Sequence, residues 1–133
     1  MKGFYAGGFF YNPKTREVLL HKRDGNTKNH PNQWAFFGGL GEGDENPVEA
    51  FIREIEEELG VRLSLDEVIP LCDYYNPVRQ THRNIFYVVN DKKKSEMTLG
   101  EGADFDWVSL DVVFDYDLTE RIVRDLKTFL STL

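Results

Sequence analysis

Glu54, Glu57 and Glu58 stand at i, i+3 and i+4 inside a segment that carries its own helix signals, and no other stretch of the chain restricts its fold as strongly. Asn46 is placed as an N-cap, Pro47 fits the first helical position, where no N–H is needed, and Glu49 closes an Asn-x-x-Glu capping box. Gly60 marks the C-terminal end. Between these ends Val48, Phe51, Ile52, Ile55 and Leu59 recur at helical spacing and form one apolar stripe for a core. The three carboxylates fall largely away from that stripe, on a common face where they can reach one ion. The spacing therefore predicts a helix packed on one side and acidic on another.

Like charges one turn apart destabilise a helix by a few tenths of a kcal/mol per pair. A divalent cation held by carboxylate oxygens turns that repulsion into binding. Glutamates without His or Cys favour Mg²⁺ or Mn²⁺ over Zn²⁺, and Mg²⁺ takes one or two carboxylates together with waters and substrate phosphate oxygens. A solvated, glutamate-rich helix face is the plain alternative for an isolated acidic run. The residues around the run overturn that alternative.

Gly39, Glu45, Arg53, Glu54, Ile55, Glu57, Glu58, Gly60 and Val61 fill, without a departure, the pattern G-x5-E-x7-R-E-U-x-E-E-x-G-U, where U is a bulky aliphatic residue. This segment resembles the motif of the Nudix hydrolases. Trp34-Ala-Phe-Phe-Gly-Gly39 is similar to the strand and turn that lead into that motif in the family, with Phe37 standing where a proline is common. The resemblance implies an α/β fold of Nudix type, an α/β/α sandwich with a mixed β-sheet between helices. It also implies hydrolysis of a diphosphate bond in a nucleoside diphosphate linked to another moiety, a nucleoside triphosphate or a nucleotide sugar, with Mg²⁺ as cofactor and Mn²⁺ as a substitute. Through it, metal ligation is expected at Glu57 and Glu58, helped by Glu54 and the backbone carbonyl of Gly38. Arg53 is expected to orient a neighbouring carboxylate, and its plainer role is an i, i+4 pair with Glu57. Either Glu54 or Glu101 can serve as general base, with Glu54 ranked first.

Glu101 enters through Glu101-Gly-Ala-Asp-Phe-Asp-Trp107-Val-Ser-Leu110, which resembles the E-G…W-x-S-L stretch of MutT-type members, where that glutamate lies near the metals. It is the candidate fourth carboxylate, with Asp104 and Asp106 as alternatives. Arg23 resembles a family position that contacts phosphate. Thr119 loosely matches the asparagine that reads the base in MutT-type enzymes, whereas Pro77 resembles a downstream proline of many ADP-ribose pyrophosphatases. These two hints point to different substrates, and both substrate classes stay open. A non-catalytic Nudix-fold module that binds a nucleotide or metabolite is the alternative function. Its usual mark is erosion of Arg53, Glu54, Glu57 or Glu58, and none is eroded.

Composition narrows the setting. The 133 residues are 41% hydrophobic, enough for one core, and the expectation is a single domain over 1–133. Cys72 is the only cysteine, so an intrachain disulfide is impossible and a buried, inert thiol in a reducing compartment is expected. A net charge of −7 argues against nucleic-acid polymers and anionic membranes as partners, because both draw on clustered Lys and Arg. Lys92-Lys-Lys94 reads as a solvated loop. A small nucleotide is the expected partner, with a homodimer left open, and the cytoplasm is the expected location. Gly3 to Phe10 is apolar but glycine-broken, which suits a first strand better than a signal peptide.

Further strands are expected at Glu17 to Arg23, Trp34 to Phe37, Val68 to Tyr75, Arg83 to Val89 and Phe105 to Val108. A C-terminal helix is expected with Asp117-x-x-Glu120 as its cap and an apolar stripe through Leu118, Ile122, Val123, Leu126, Phe129, Leu130 and Leu133. Tyr74, Tyr75 and Phe86 are read as core aromatics before base-stacking platforms, and His21 and His82 as structural or exposed.

Overall fold

A computed structural model describes residues 3–25, 32–100, 102 and 104–133. Among the described residues the strands and α-helices follow in chain order as β1 (Phe4–Asn12), β2 (Glu17–Lys22), β3 (Trp34–Ala35), β4 (Phe37–Leu40), α1 (Pro47–Leu59), β5 (Ile69–Asn76), β6 (Thr81–Val89), β7 (Asp104–Ser109) and α2 (Glu120–Leu130). The strands make one sheet in the order β3-β2-β1-β6-β5, with β4 also paired to β1 and β7 to β2. Strands β1 and β6 run parallel, from Phe4 opposite His82 to Tyr11 opposite Val89. The other named pairs are antiparallel, so the sheet is mixed.

Strand β1 is the hub because its two halves serve different neighbours. Tyr5 to Gly8 pair with β4, whereas Tyr11 and Asn12 pair with β2. The expected strand from Trp34 to Phe37 is divided for the same reason. Trp34 and Ala35 pair with β2, then the chain turns at Phe36 and Phe37 begins the pairing with β1. Phe36 is buried against Phe9, ring centroids 5.0 Å apart.

The two helices cover opposite faces of the sheet. Ala50, Phe51, Ile55 and Leu59 of α1 pack into a core with Ala6, Phe10, Leu19 and Phe86. Ile122, Leu126 and Phe129 of α2 pack into a second core with Phe9, Tyr11, Val18 and Ile85. Each fully buried side chain of this size contributes roughly 1.5–3 kcal/mol relative to exposure. The two cores give the layered arrangement expected of an α/β sandwich.

The ends of α1 are as the residues dictate. Asn46 Oδ1 accepts from the Glu49 N–H at 2.9 Å while Glu49 Oε1 accepts from the Asn46 N–H at 2.9 Å. Gly60 closes the helix in the left-handed region, φ 68°, where a side chain would be strained. The cap of α2 differs from the expected one. Thr119 is the N-cap, its Oγ1 accepting from Ile122 N–H at 3.4 Å. Asp117 instead accepts from Gln33 Nε2 at 2.9 Å, and its carbonyl accepts from Trp34 N–H at 2.9 Å. Asp117 is thus drawn to the segment entering β3 and is unavailable to the helix. Among the described residues no helix is long and apolar enough to cross a membrane.

Candidate active site

Arg53 organises the acidic end of α1. Its Nε donates to Glu45 Oε2 at 2.7 Å and its Nη2 to Glu45 Oε1 at 3.1 Å, a two-point contact with the loop before the helix. The same Nη2 donates to the Leu40 carbonyl at 3.1 Å, which ties the helix to the end of β4. Nη1 donates to Glu54 Oε2 at 3.2 Å and reaches both oxygens of Glu57 at 3.3 Å. One guanidinium therefore holds three motif carboxylates. The Glu45 hydrogen bond is the largest cause holding the Arg53 pKa above its ordinary value, and Arg53 in turn holds the Glu45 carboxyl below the usual range.

The three helix carboxylates occupy different environments. Glu57 is 58% exposed and Glu54 only 13%. The space beside Gly39 is filled by the Glu54 carboxylate, so a Cβ at that position would collide with it. Glu58 is 4% exposed and accepts from the Gly38 N–H at 3.1 Å. The common face expected from the spacing is thus unevenly exposed, Glu58 covered and Glu57 open. Two segments outside the helix cover Glu58: Gly38 on β4, and the chain after β6, where Thr98 N–H donates to the Leu59 carbonyl at 2.9 Å and Gly100 N–H to the Glu58 carbonyl at 2.8 Å. Helical periodicity sees neither.

The donor set fits a hard divalent ion, since every side-chain candidate is a carboxylate and none is His or Cys. Among the described residues, however, no three His, Cys, Asp or Glu side chains are gathered closely enough to hold one ion together. Glu54 and Glu57 turn to Arg53, and Glu58 turns to Gly38. One or two carboxylates with waters and phosphate oxygens suffice for Mg²⁺. Glu101 lies outside the described residues.

Beside this end of α1 opens a cleft of ≈ 640 Å³ on the α2 side of the sheet. Gly38, Gly39, Leu40 and Glu58 form one end, and Thr119 and Ile122 belong to the other wall. An adjoining hollow of ≈ 390 Å³ shares Asn76, Arg79, Thr119 and Arg121 with it. The cleft concentrates arginine in an acidic chain: Arg23, Arg79, Arg83 and Arg121 all line it, in a protein of net charge −7. That field suits a polyphosphate, with the carboxylate end left for its cation.

Of the residues singled out from sequence, Arg23, Gly38, Glu58 and Thr119 meet at this cleft, while Arg53, Glu54 and Glu57 stand together beside it. His21 lines it as well, buried and tilted against Phe37 at 5.2 Å between ring centroids. His82 is elsewhere, 2.6 Å from Asp73 Oδ1. Phe86 is a core residue, Tyr75 is exposed on the edge strand β5, and Tyr74 donates to Asp125. No local sequence pattern marks Arg79, Arg83 and Arg121. The surplus of acidic residues hides them, and only the folded sheet brings β6, the turn before it and α2 to one wall.

Comparison with known proteins bears on the fold and the family. The model of the NUDIX domain matches residues 1–131. The nucleoside triphosphatase NudI of Klebsiella pneumoniae is 33% identical over 112 residues, 75% of this chain and 79% of the relative. The protein of the same name from Escherichia coli O139:H28 is 34% identical over 107 residues, 73% of this chain and 76% of the relative. Among solved structures, a MutT from a study of Aliivibrio salmonicida and Vibrio cholerae superposes with a TM-score of 0.81 at 21% identity, covering 100% of both chains. The NUDIX domain of Shewanella oneidensis NrtR, solved with ADP ribose, gives 0.81 at 13% identity over 99% of this chain and 88% of that one. With the motif complete, the fold matched and the domain model spanning nearly every residue, the chain belongs to the NUDIX family and is a pyrophosphohydrolase of Nudix type.

Proposed function

We propose that this enzyme hydrolyses a diphosphate bond of a nucleoside triphosphate in a reaction that depends on Mg²⁺, with Mn²⁺ able to substitute. The observation that carries the reading is that Glu58 and four arginines share one cleft, beside a helix end where Arg53 holds three more carboxylates. Relatives that are 33% and 34% identical and are named nucleoside triphosphatases favour the triphosphate over the nucleotide sugar.

Glu57 and Glu58 would hold the ion, with Glu54 and the Gly38 carbonyl as helpers. When bound, such an ion neutralises phosphate oxyanions and lowers the pKa of an attacking water. Glu54 takes the water proton as that oxygen bonds to phosphorus and the bridging P–O bond breaks, and Glu101 is the other candidate base. Arg53 is a positioning residue: it touches carboxylates and leaves the phosphates to Arg23, with Arg79 and Arg121 beside it in the cleft. A reducing cytoplasm suits the single thiol and the small nucleotide partner.

The test is a panel of ribo- and deoxyribonucleoside triphosphates with nucleotide sugars as the contrast, followed by chromatography and product masses. At least one triphosphate is expected to be cleaved to a shorter nucleotide and a phosphate fragment, and EDTA is expected to abolish it. Turnover of nucleotide sugars alone, or turnover indifferent to EDTA, would contradict the proposal.

A further inference from the structure

The wall of the cleft opposite the metal end contains a buried ion pair that the motif chemistry does not use. Asp125 of α2 is 0% exposed, and Arg83 of β6 is 9% exposed. Arg83 Nε donates to Asp125 Oδ2 at 2.9 Å, and Tyr74 Oη donates to Asp125 Oδ1 at 2.8 Å. The guanidinium also lies over the Tyr5 ring, 4.8 Å from its centroid. A buried Arg–Asp pair is often no more stabilising than apolar residues of the same volume. Stability alone does not require one here.

The unused donors of Arg83 point to its task. A guanidinium has five N–H donors and no acceptor. Among the described residues only Nε–H has a hydrogen-bond acceptor, and no buried side-chain N or O lacks a partner, so the Nη1 and Nη2 groups open onto the cleft that Arg83 lines. Asp125 fixes one edge of the fork and Tyr5 supports its face, so its direction is set before any ligand arrives.

Position along the cleft says which part of a nucleotide meets it. Leu40, Tyr5 and Arg83 are register neighbours across three strands. Two strand spacings of about 4.8 Å put Arg83 about 10 Å from the Gly38–Leu40 end. With phosphates at that end, a ribose spans the interval and the base reaches Arg83, beside the apolar side chains of Phe36 and Ile122. Asp125 neutralises Arg83 locally, which suits the fork to neutral carbonyl oxygens better than to a further phosphate.

We propose that Arg83, positioned by Asp125 and Tyr5, reads the base as a fork of donors and selects nucleotides whose base presents a carbonyl there, namely uracil, thymine and guanine. Cytosine and adenine carry an amino donor at the matching position and meet donor with donor. The inference rests on the nucleotide reading above and assigns the base end of the same cleft.

Calorimetric titration of nucleoside monophosphates with Mg²⁺ tests it without turnover. GMP against AMP, and UMP against CMP, compare carbonyl with amino on one ring system. The carbonyl partner of each pair is expected to bind at least about tenfold more tightly to the wild type. Arg83→Lys keeps a charge for Asp125 but loses the planar fork, and both ratios are expected to fall toward one. The double variant Arg83→Met with Asp125→Leu removes both charges and is expected to do the same, its folding checked by circular dichroism. Equal affinities in the wild type, ratios that survive in both variants, or a uniform weakening of all four ligands, which marks a phosphate contact, would overturn the inference. Selective binding without any triphosphate turnover would sink the hydrolase reading and leave this one standing, and turnover without selectivity would do the reverse.

Discussion

Arg53 and Glu45, eight residues apart, meet in a two-point ion pair of 2.7 and 3.1 Å, and that pair joins the loop before α1 to the carboxylates on the helix. Because the other faces of the guanidinium hold Glu54 and Glu57, loss of Arg53 releases several groups at once. Arg53→Lys is not conservative at such a site, since an ammonium cannot reproduce the fork. Its expected effect is a drop of about 10–100-fold in metal affinity or activity. Activation curves against Mg²⁺ concentration, alongside unchanged secondary structure by circular dichroism, check it.

Acid titration reads the same pair. The Glu45 carboxyl is held below its ordinary value, mainly by the Arg53 hydrogen bond. The folded state thus binds this proton less readily than the unfolded state, so the stability Glu45 adds is present above about pH 4.5 and is lost as pH falls through the lower folded value. Denaturation curves between pH 7 and pH 3 are expected to show a smaller acid loss for Glu45→Gln than for the wild type.

Gly39→Ala separates chemistry from stability. The added methyl would occupy the space of the Glu54 carboxylate, the far end of a side chain that can move aside. Folding should survive, while a misplacement on the order of 1 Å at a reacting group can cost about a hundredfold in rate. A kcat loss of that order with a near-native melting temperature is the expected pair of results.

Asn46→Ala removes a side-chain acceptor from the start of α1 and leaves the Glu49 N–H unsatisfied. A loss of about 1 kcal/mol is expected, measurable by urea unfolding as a lower midpoint at constant slope.

Cys72 is expected to be slow to alkylate. Burial is the largest cause pushing its thiol from 9.0 up to about 11, and Asp125 adds to it. Since the thiolate is the nucleophile, its reaction with iodoacetamide at pH 8 should run about a hundredfold slower than that of an exposed thiol.

What the residues revealed in advance was whatever is encoded locally. The Asn46–Glu49 box, Pro47 and Gly60 lie within one helix and its caps, so α1 was legible to the residue. The cap of α2 is not legible locally, because Asp117 and Thr119 are equally able to cap, and a partner 84 residues away, Gln33, claims the first. Burial of Glu58 comes from β4 and the chain after β6, beyond the reach of helical spacing. The Arg83–Asp125 pair joins β6 to α2 across 42 positions, and no local pattern announces it.

The central claim is that the acidic face of α1 serves metal-dependent hydrolysis of a nucleotide diphosphate bond. Glu57→Gln tests it most directly, because Glu57 is 58% exposed and its replacement removes a proposed ligand without disturbing the core. Loss of one carboxylate that neutralises phosphate charge through the ion should cost several kcal/mol, about a thousandfold in kcat/KM on the best triphosphate with Mg²⁺ present. A Glu57→Gln variant that turns over that nucleotide at the wild-type rate would contradict the account.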